Sequence, residues 1–180
     1  MRVRGHIIVA ANEQLMIENG RKRMPIPPLV AAAVYRRDHW LCHWCLRPVI
    51  LPQAMKLLEK DIRRSGWTGT MALFHPNWSR DGAPLLDELG ANVDHVAAHT
   101  LRGDHALENF VTACAKCNTR KGNNELVRWE QRDKRKPIKG KYGEPRAWDG
   151  FSGLFVVLAQ RDPSVLTAND RAWLKALTDQ

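Results

Sequence analysis

The sequence predicts an α+β protein: a small core of two short strands and a helix, pinned by cysteines and flanked by helices. Three observations carry this. All four cysteines of the 180-residue chain fall into two Cys-x-x-Cys pairs, Cys42 with Cys45 and Cys114 with Cys117. Between Asn92 and Asn118 the pattern reads strand, polar turn, strand, helix. Outside that stretch, apolar residues recur at spacings of three and four, as amphipathic helices require.

Taken in order, Val3 to Val9 has the pattern of a short strand, and a polar stretch with Arg21, Lys22 and Arg23 follows it. Pro28 suits the first turn of a helix, where its missing N–H costs little, so Leu29 to Arg37 is expected to be helical. Pro52 to Arg64 reads as an amphipathic helix through Met55, Leu58 and Ile62. Residues 65–90, rich in Gly and Pro, read as loop. A strand is expected over Asn92 to Ala98, a turn around Arg102-Gly103-Asp104, and a return strand near Phe110 to Thr112. A helix then starts close to Asn118. Residues 128–146 read as a mobile basic segment. Ala147 to Arg161 is an apolar helical run, and Thr167-x-x-Asp170 forms a capping pattern ahead of Trp173, Leu174 and Leu177. Trp148 and Trp173 read as core anchors. No repeats and no low-complexity tract interrupt the chain.

A chain of this length can bury a substantial core. Its formal net charge of +9 favours polyanionic partners, nucleic acid above all. A basic protein with no such partner is the plainer alternative. The longest apolar runs, Ile7 to Ala11 and Leu154 to Ala159, are too short for a signal-peptide core or a membrane span. A cytoplasmic location is therefore expected, and reduced thiols with it.

In a reducing compartment, two Cys-x-x-Cys pairs read as two halves of one tetrahedral Zn2+ site, formed by Cys42, Cys45, Cys114 and Cys117. The 68 residues between Cys45 and Cys114 then form a subdomain whose ends the ion ties together. A dithiol redox site explains one pair but leaves the other over. A zinc deaminase needs Pro before the first Cys of its pair and an upstream His-x-Glu. Here Ala113 precedes Cys114, and no His-x-Glu occurs.

Around the second pair lies the string Asp94-His95-Val96, Asn109, Cys114, Cys117, Asn118, Lys121. His95 is a natural base for activating water, since neutral imidazole is available near pH 7. Asp94 precedes it on the expected strand, where the two side chains point to opposite faces. Both serve one site only if the strand bends or the metal lies at the strand end. A carboxylate and an amide oxygen, Asp94 with Asn118, form a hard ligand set suited to Mg2+ or Mn2+.

The string resembles the HNH endonuclease family, which is built on the ββα-metal motif. Cys42, Cys45, Asp94, His95, Val96, Gly103, Asn109, Cys114, Cys117, Asn118 and Lys121 carry the resemblance. It covers about residues 28–124, apart from an unmatched insert at about 48–90. The resemblance implies that His95 is the general base and that Asp94 and Asn118 hold the catalytic divalent ion. Asn109 would brace the loop between the strands, and is counted with the catalytic residues for that role. Asn118 stands where many members have His, so the chain is similar to an Asn-ended variant. Two departures stand out: Ala98 where members often have Pro, and Arg102-Gly103 where they often have Gly-Gly.

On this reading residues 1–27 are an N-terminal extension and 28–124 the nuclease domain with its insert. Residues 125–146 are a basic linker, and 147–180 a helical segment packed on the core. From Lys116 to Arg146 eleven Lys/Arg face four Asp/Glu, a surplus of seven. Arg120 and Lys121 are expected at the phosphates of the scissile strand, and Lys134, Arg135 and Lys136 at the flanking backbone. Such runs are more often only a solvated face.

Each residue also has a plainer reading: Asp94 as a turn acid, His95 as a surface histidine, Asn109 as a cap. His99 and His105 read as loop residues, His75 and Trp78 as part of a folded loop, and His39 and His43 as exposed neighbours of the first pair. Asn123 and Asn124 rank below Asn118 as ligands. The function that follows is metal-dependent hydrolysis of DNA, with double-stranded DNA as the expected partner. The alternatives are a non-catalytic zinc module that binds nucleic acid, and an interaction protein with a dead motif. One such site cuts one strand at a time, so cutting both needs a homodimer or two visits.

Overall fold

A computed structural model of the chain describes residues 25–68, 84–97, 106–122 and 148–179. The elements run α1 (Pro28–Arg37), α2 (Pro52–Arg64), α3 (Pro84–Leu89), β1 (Ala91–His95), β2 (Phe110–Cys114), α4 (Ala115–Lys121), α5 (Ser152–Arg161) and α6 (Ala168–Thr178). Short 3-10 turns precede β2 and α6, at Leu107–Asn109 and Pro163–Val165. The fold is α+β, with one antiparallel pair, β1 and β2, in register from Ala91 opposite Cys114 to His95 opposite Phe110.

Local chemistry explains most boundaries. Pro28 opens α1 and Pro52 opens α2, each at a position whose N–H has no helical acceptor to lose. Both helices end in arginines, Arg36 and Arg37 in one and Arg63 and Arg64 in the other, which favour the negative end of the helix dipole. Thr167 and Asp170 form a complete capping box at the start of α6. α5 begins at Ser152 and not at Ala147, because Gly150 and Phe151 take left-handed backbone angles with φ of 66° and 62°. The Asp149 carboxylate accepts the N–H groups of Phe151 and Gly153 at that turn, at 2.9 and 2.8 Å.

Three further boundaries differ from the sequence expectation. α3 lies in the stretch that reads as loop, and Gly90 N–H closes its end on the Leu86 carbonyl at 2.9 Å. β1 stops at His95, and beyond it Val96 N–H bonds the Asn109 carbonyl at 2.8 Å. α4 starts at Ala115, three residues before Asn118. The Cys114 sulfur accepts the Cys117 N–H at 3.4 Å and so caps the helix early. The expected strand at Val3 to Val9, the turn at residues 102–104 and the basic segment 128–146 lie outside the described residues. So do His75, Trp78, His99, His105, Asn123, Asn124, Lys134, Arg135 and Lys136.

One apolar cluster takes in both cysteine pairs, the Val49–Leu51 stretch, and Phe155, Leu158, Trp173 and Leu177 from the last two helices. α6 packs on α1, and α5 on α2. Each fully buried large side chain, such as Leu51 or Phe155, contributes roughly 1.5–3 kcal/mol. Trp173 stacks on Tyr35 with ring centroids 6.2 Å apart. Trp148 donates through Nε1 to the Val49 carbonyl at 2.7 Å. A smaller cluster of Val30, Val34 and Phe110 seats α1 on the strand pair. Asp38, at the end of α1, accepts the Thr112 N–H of β2 at 2.7 Å. Among the described residues no helix is long and apolar enough to cross a membrane.

Candidate metal centre and active site

The two cysteine pairs meet although 68 residues separate them in sequence. The sulfurs of Cys42, Cys45, Cys114 and Cys117 all lie within 4.8 Å of one another, and all four residues are buried. All four are free thiols. Cys45 and Cys114 sulfurs are 3.8 Å apart, too far for a disulfide. A tetrahedral ion with Zn–S bonds of about 2.3 Å places its sulfurs about 3.8 Å apart, so the donor set and its spacing fit Zn2+. Packed together, the sulfurs differ in acidity. Hydrogen bonds with Cys114, Cys117 and Cys42 hold Cys45 low, and hydrogen bonds with Cys117 and Cys42 hold Cys114 below its ordinary value. Hydrogen bonding with Cys114 pushes Cys42 and Cys117 up. A dication such as Zn2+ would let four thiolates share so small a volume.

Local backbone builds each half of this site. In the first half, Leu46 N–H returns to the Cys42 carbonyl at 2.8 Å, with Leu46 itself at a φ of 57°. His43 N–H bonds the Thr112 carbonyl of β2 at 2.7 Å, which brings that turn to the strand pair. In the second half, β2 delivers Cys114 and the first turn of α4 delivers Cys117. Glu88 on α3 joins the two halves from outside: it accepts from Arg47 at 3.1 Å and from Lys116 at 2.6 Å. Hydrogen bonding with the Cys45 sulfur and with Glu88 holds the Arg47 guanidinium above its ordinary value. That cation offsets the negative charge of the thiolates.

Asp94 and His95 are the last two residues of β1, where neighbouring side chains alternate but the strand gives way to the next turn. Asp94 turns toward the cysteine halves and is 8 % exposed. Its Oδ2 accepts from Trp44 Nε1 at 2.9 Å. Its Oδ1 accepts from Lys121 Nζ at 3.1 Å and from the His95 N–H at 2.8 Å. A carboxylate has about four lone-pair directions. Among the described residues these donors take three, two on Oδ1 and one on Oδ2, which leaves a direction on Oδ2 for a ligand. His95 is half-buried, with its ring edge-on to Phe110 at 4.9 Å.

Asn109 clamps the end of β1. Its Oδ1 accepts the Ala97 N–H at 2.8 Å and its Nδ2 donates to the Ala97 carbonyl at 3.1 Å. Asn118 is half-buried in the middle of α4, one residue past Cys117, and Arg120 is exposed on the same helix. Lys121 corrects an expectation. In place of a surface position facing phosphates, its side chain is 1 % exposed, and its ammonium also donates to the His95 carbonyl at 2.6 Å. The reason is helical spacing: Lys121 follows Cys117 by four residues and shares its buried face.

Trp44 and Glu88 escaped the sequence reading. Trp44 lies inside the first pair, and a buried indole N–H there requires an acceptor. That requirement is a legible signal. Nothing in the sequence around Glu88 marks it, because its two partners come from distant segments.

Fold and site together define a class: two antiparallel strands and a helix, held by four cysteines, with an Asp-His pair closing the first strand. Residues 82–124 match the family model described as HNH endonuclease. The matched segment holds α3, both strands and α4, with Asp94, His95, Asn109, Cys114, Cys117, Asn118 and Lys121. It begins after Cys42 and Cys45, so the structure alone joins that pair to it. Comparison with curated proteins found no match, and comparison with solved structures found none.

Proposed function

We propose that the chain is a metal-dependent endonuclease that hydrolyses phosphodiester bonds of double-stranded DNA. The observation that carries this reading is the Asp94-His95 pair at the end of β1, inside the matched segment and beside a helix held by the cysteine site. The surplus of nine positive charges supports a nucleic-acid partner.

His95 is the general base. Its imidazole takes a proton from water, and the water oxygen attacks phosphorus as the bond to the 3′ oxygen breaks. The products are a 5′-phosphate and, once the departing oxygen takes up a proton, a 3′-hydroxyl. Contact with buried Phe110 limits the rotation of the base. Asp94, through its carboxylate, and Asn118, through its amide oxygen, would hold a Mg2+ or Mn2+ ion. Such an ion would supply positive charge where negative charge builds on the phosphate and the leaving oxygen. Asn109 fixes the chain beyond His95. Cys42, Cys45, Cys114 and Cys117 hold a structural Zn2+. Arg120, with Lys134, Arg135 and Lys136, contacts DNA phosphates, which gives affinity without sequence preference.

A second reading draws on the surroundings of Asp94. A carboxylate that already serves Lys121 and Trp44 also suits a non-catalytic zinc-stabilised module that only binds nucleic acid. Supercoiled plasmid separates the two. The purified protein is incubated with it in Mg2+, Mn2+ or EDTA, beside His95→Ala. Conversion to open circle or linear that is lost in EDTA and in the variant supports the nuclease. Salt-sensitive binding without cleavage, equal in both proteins, supports the binding module. Cleavage that persists in His95→Ala refutes the assignment of the base.

A further inference from the structure

We infer that Trp44 and Lys121 are positioning residues for the Asp94 carboxylate, one donor sent from each half of the cysteine site. The inference rests on the nuclease reading above, and it gives the four-cysteine site a second task beyond holding the fold.

Trp44 stands between Cys42 and Cys45, so the turn that gathers those sulfurs also fixes its indole. Trp44 is 9 % exposed and sends Nε1 to Asp94 Oδ2 at 2.9 Å. Lys121 ends the helix that Cys114 caps and Cys117 anchors, and it sends Nζ to Oδ1 at 3.1 Å. The two donors also touch one another, with Nζ 5.3 Å from the Trp44 ring centroid. With the His95 N–H on Oδ1, both carboxylate oxygens have fixed partners, so the plane of the group and the direction of its last lone pair are set.

This is the arrangement found around metal ligands generally: a ligating carboxylate is itself hydrogen-bonded, and those outer bonds orient it. Here the outer bonds come from the two cysteine-bearing segments. The fold around the four cysteines thereby sets the geometry of the proposed ligand. Lys121 also donates to the His95 carbonyl at 2.6 Å, so one ammonium spans the backbone of the base and the side chain of the ligand.

Trp44→Phe is the sharpest test, because it keeps an aromatic ring near Lys121 and removes the N–H donor, together with part of the indole. Mn2+ binding is followed by electron paramagnetic resonance on protein bound to a short DNA duplex, all in a His95→Ala background so that no DNA is consumed. Zinc content and DNA affinity are measured alongside. The expected result is about tenfold weaker Mn2+ binding in Trp44→Phe, with zinc content and DNA affinity unchanged, while Asp94→Asn loses the Mn2+ site. With His95 restored, Trp44→Phe should raise the Mn2+ concentration for half-maximal cleavage more than it lowers the rate at saturating Mn2+. Lys121→Arg should bind Mn2+ more tightly than Lys121→Met. If Asp94→Asn abolishes Mn2+ binding and Trp44→Phe leaves it unchanged, the positioning role is overturned and the nuclease reading stands. If the unsubstituted protein neither binds Mn2+ nor cleaves DNA, the nuclease reading fails and the positioning role falls with it.

Discussion

Lys121 Nζ lies 3.1 Å from Asp94 Oδ1, between side chains only 1 % and 10 % exposed. An ion pair this deep is costly to break from one side, because the remaining charge stays in a poorly solvated place. Lys121→Met should therefore destabilise the protein by about 3–5 kcal/mol, read from its urea midpoint. Asp94→Asn added to that variant should recover part of the loss, since no unpaired charge remains. Strict additivity of the two substitutions would show that the pair does not interact.

Metal removal should act on the fold before it acts on any chemistry. Metal analysis of the purified protein is expected to give one zinc per chain. A strong chelator, or Cys114→Ser, should abolish the near-ultraviolet dichroism of the tryptophans packed around the site. Since the ligands must be deprotonated, zinc should be released more readily as pH falls. A protein that keeps its dichroism and melting point without zinc would show that the sulfurs are only packed.

Asp38 should make stability depend on pH. Burial pushes its carboxyl up, but hydrogen bonds from Arg37 and from the Thr112 N–H outweigh burial and hold it below its ordinary value. A carboxyl depressed in the fold stabilises fully above its unfolded value of about 3.9, and that contribution is lost as pH falls through the folded value. Asp38→Ala should cost about 1–3 kcal/mol at pH 7. It should also flatten the fall in stability below about pH 4. An unchanged acid limb in guanidinium titrations would mean that other carboxylates govern it.

Gly150→Ala should be among the most damaging single-atom additions. A Cβ there would lie 2.1 Å from the Trp40 ring, on a backbone with a φ of 66°. Left-handed geometry and overpacking together should cost about 2–4 kcal/mol, measured as a lowered thermal midpoint. A midpoint within a degree of the parent would show that Trp40 swings away at little cost.

Much of the local structure was legible in the sequence because its causes are local. Pro52 and the apolar spacing through Met55, Leu58 and Ile62 delimit α2. Thr167 and Asp170 mark the start of α6 by bonding each other's backbone. Two features hid their cause. α3 reads as loop because it is a single short helix between Gly82 and Gly90, and Glu88 holds it through partners on other segments. α4 begins three residues early because a cysteine sulfur, not a usual capping oxygen, accepts the Cys117 N–H.

The sequence by itself determined which chemical groups the protein has and how they are spaced: two cysteine pairs, an Asp-His pair, and Asn118 one residue past the last cysteine. Spacing and residue type are enough there, because ligand chemistry depends on donor atoms and short turns carry them. Only the tertiary structure decided what each charged group faces. Lys121 reads as a surface cation in a basic run, yet four residues after buried Cys117 it points into the core. Trp44 and Lys121 lie 77 positions apart in the chain, and they meet on Asp94 because one set of four sulfurs draws both segments together. A buried charge takes its role from the partner that replaces water, and long-range packing chooses that partner.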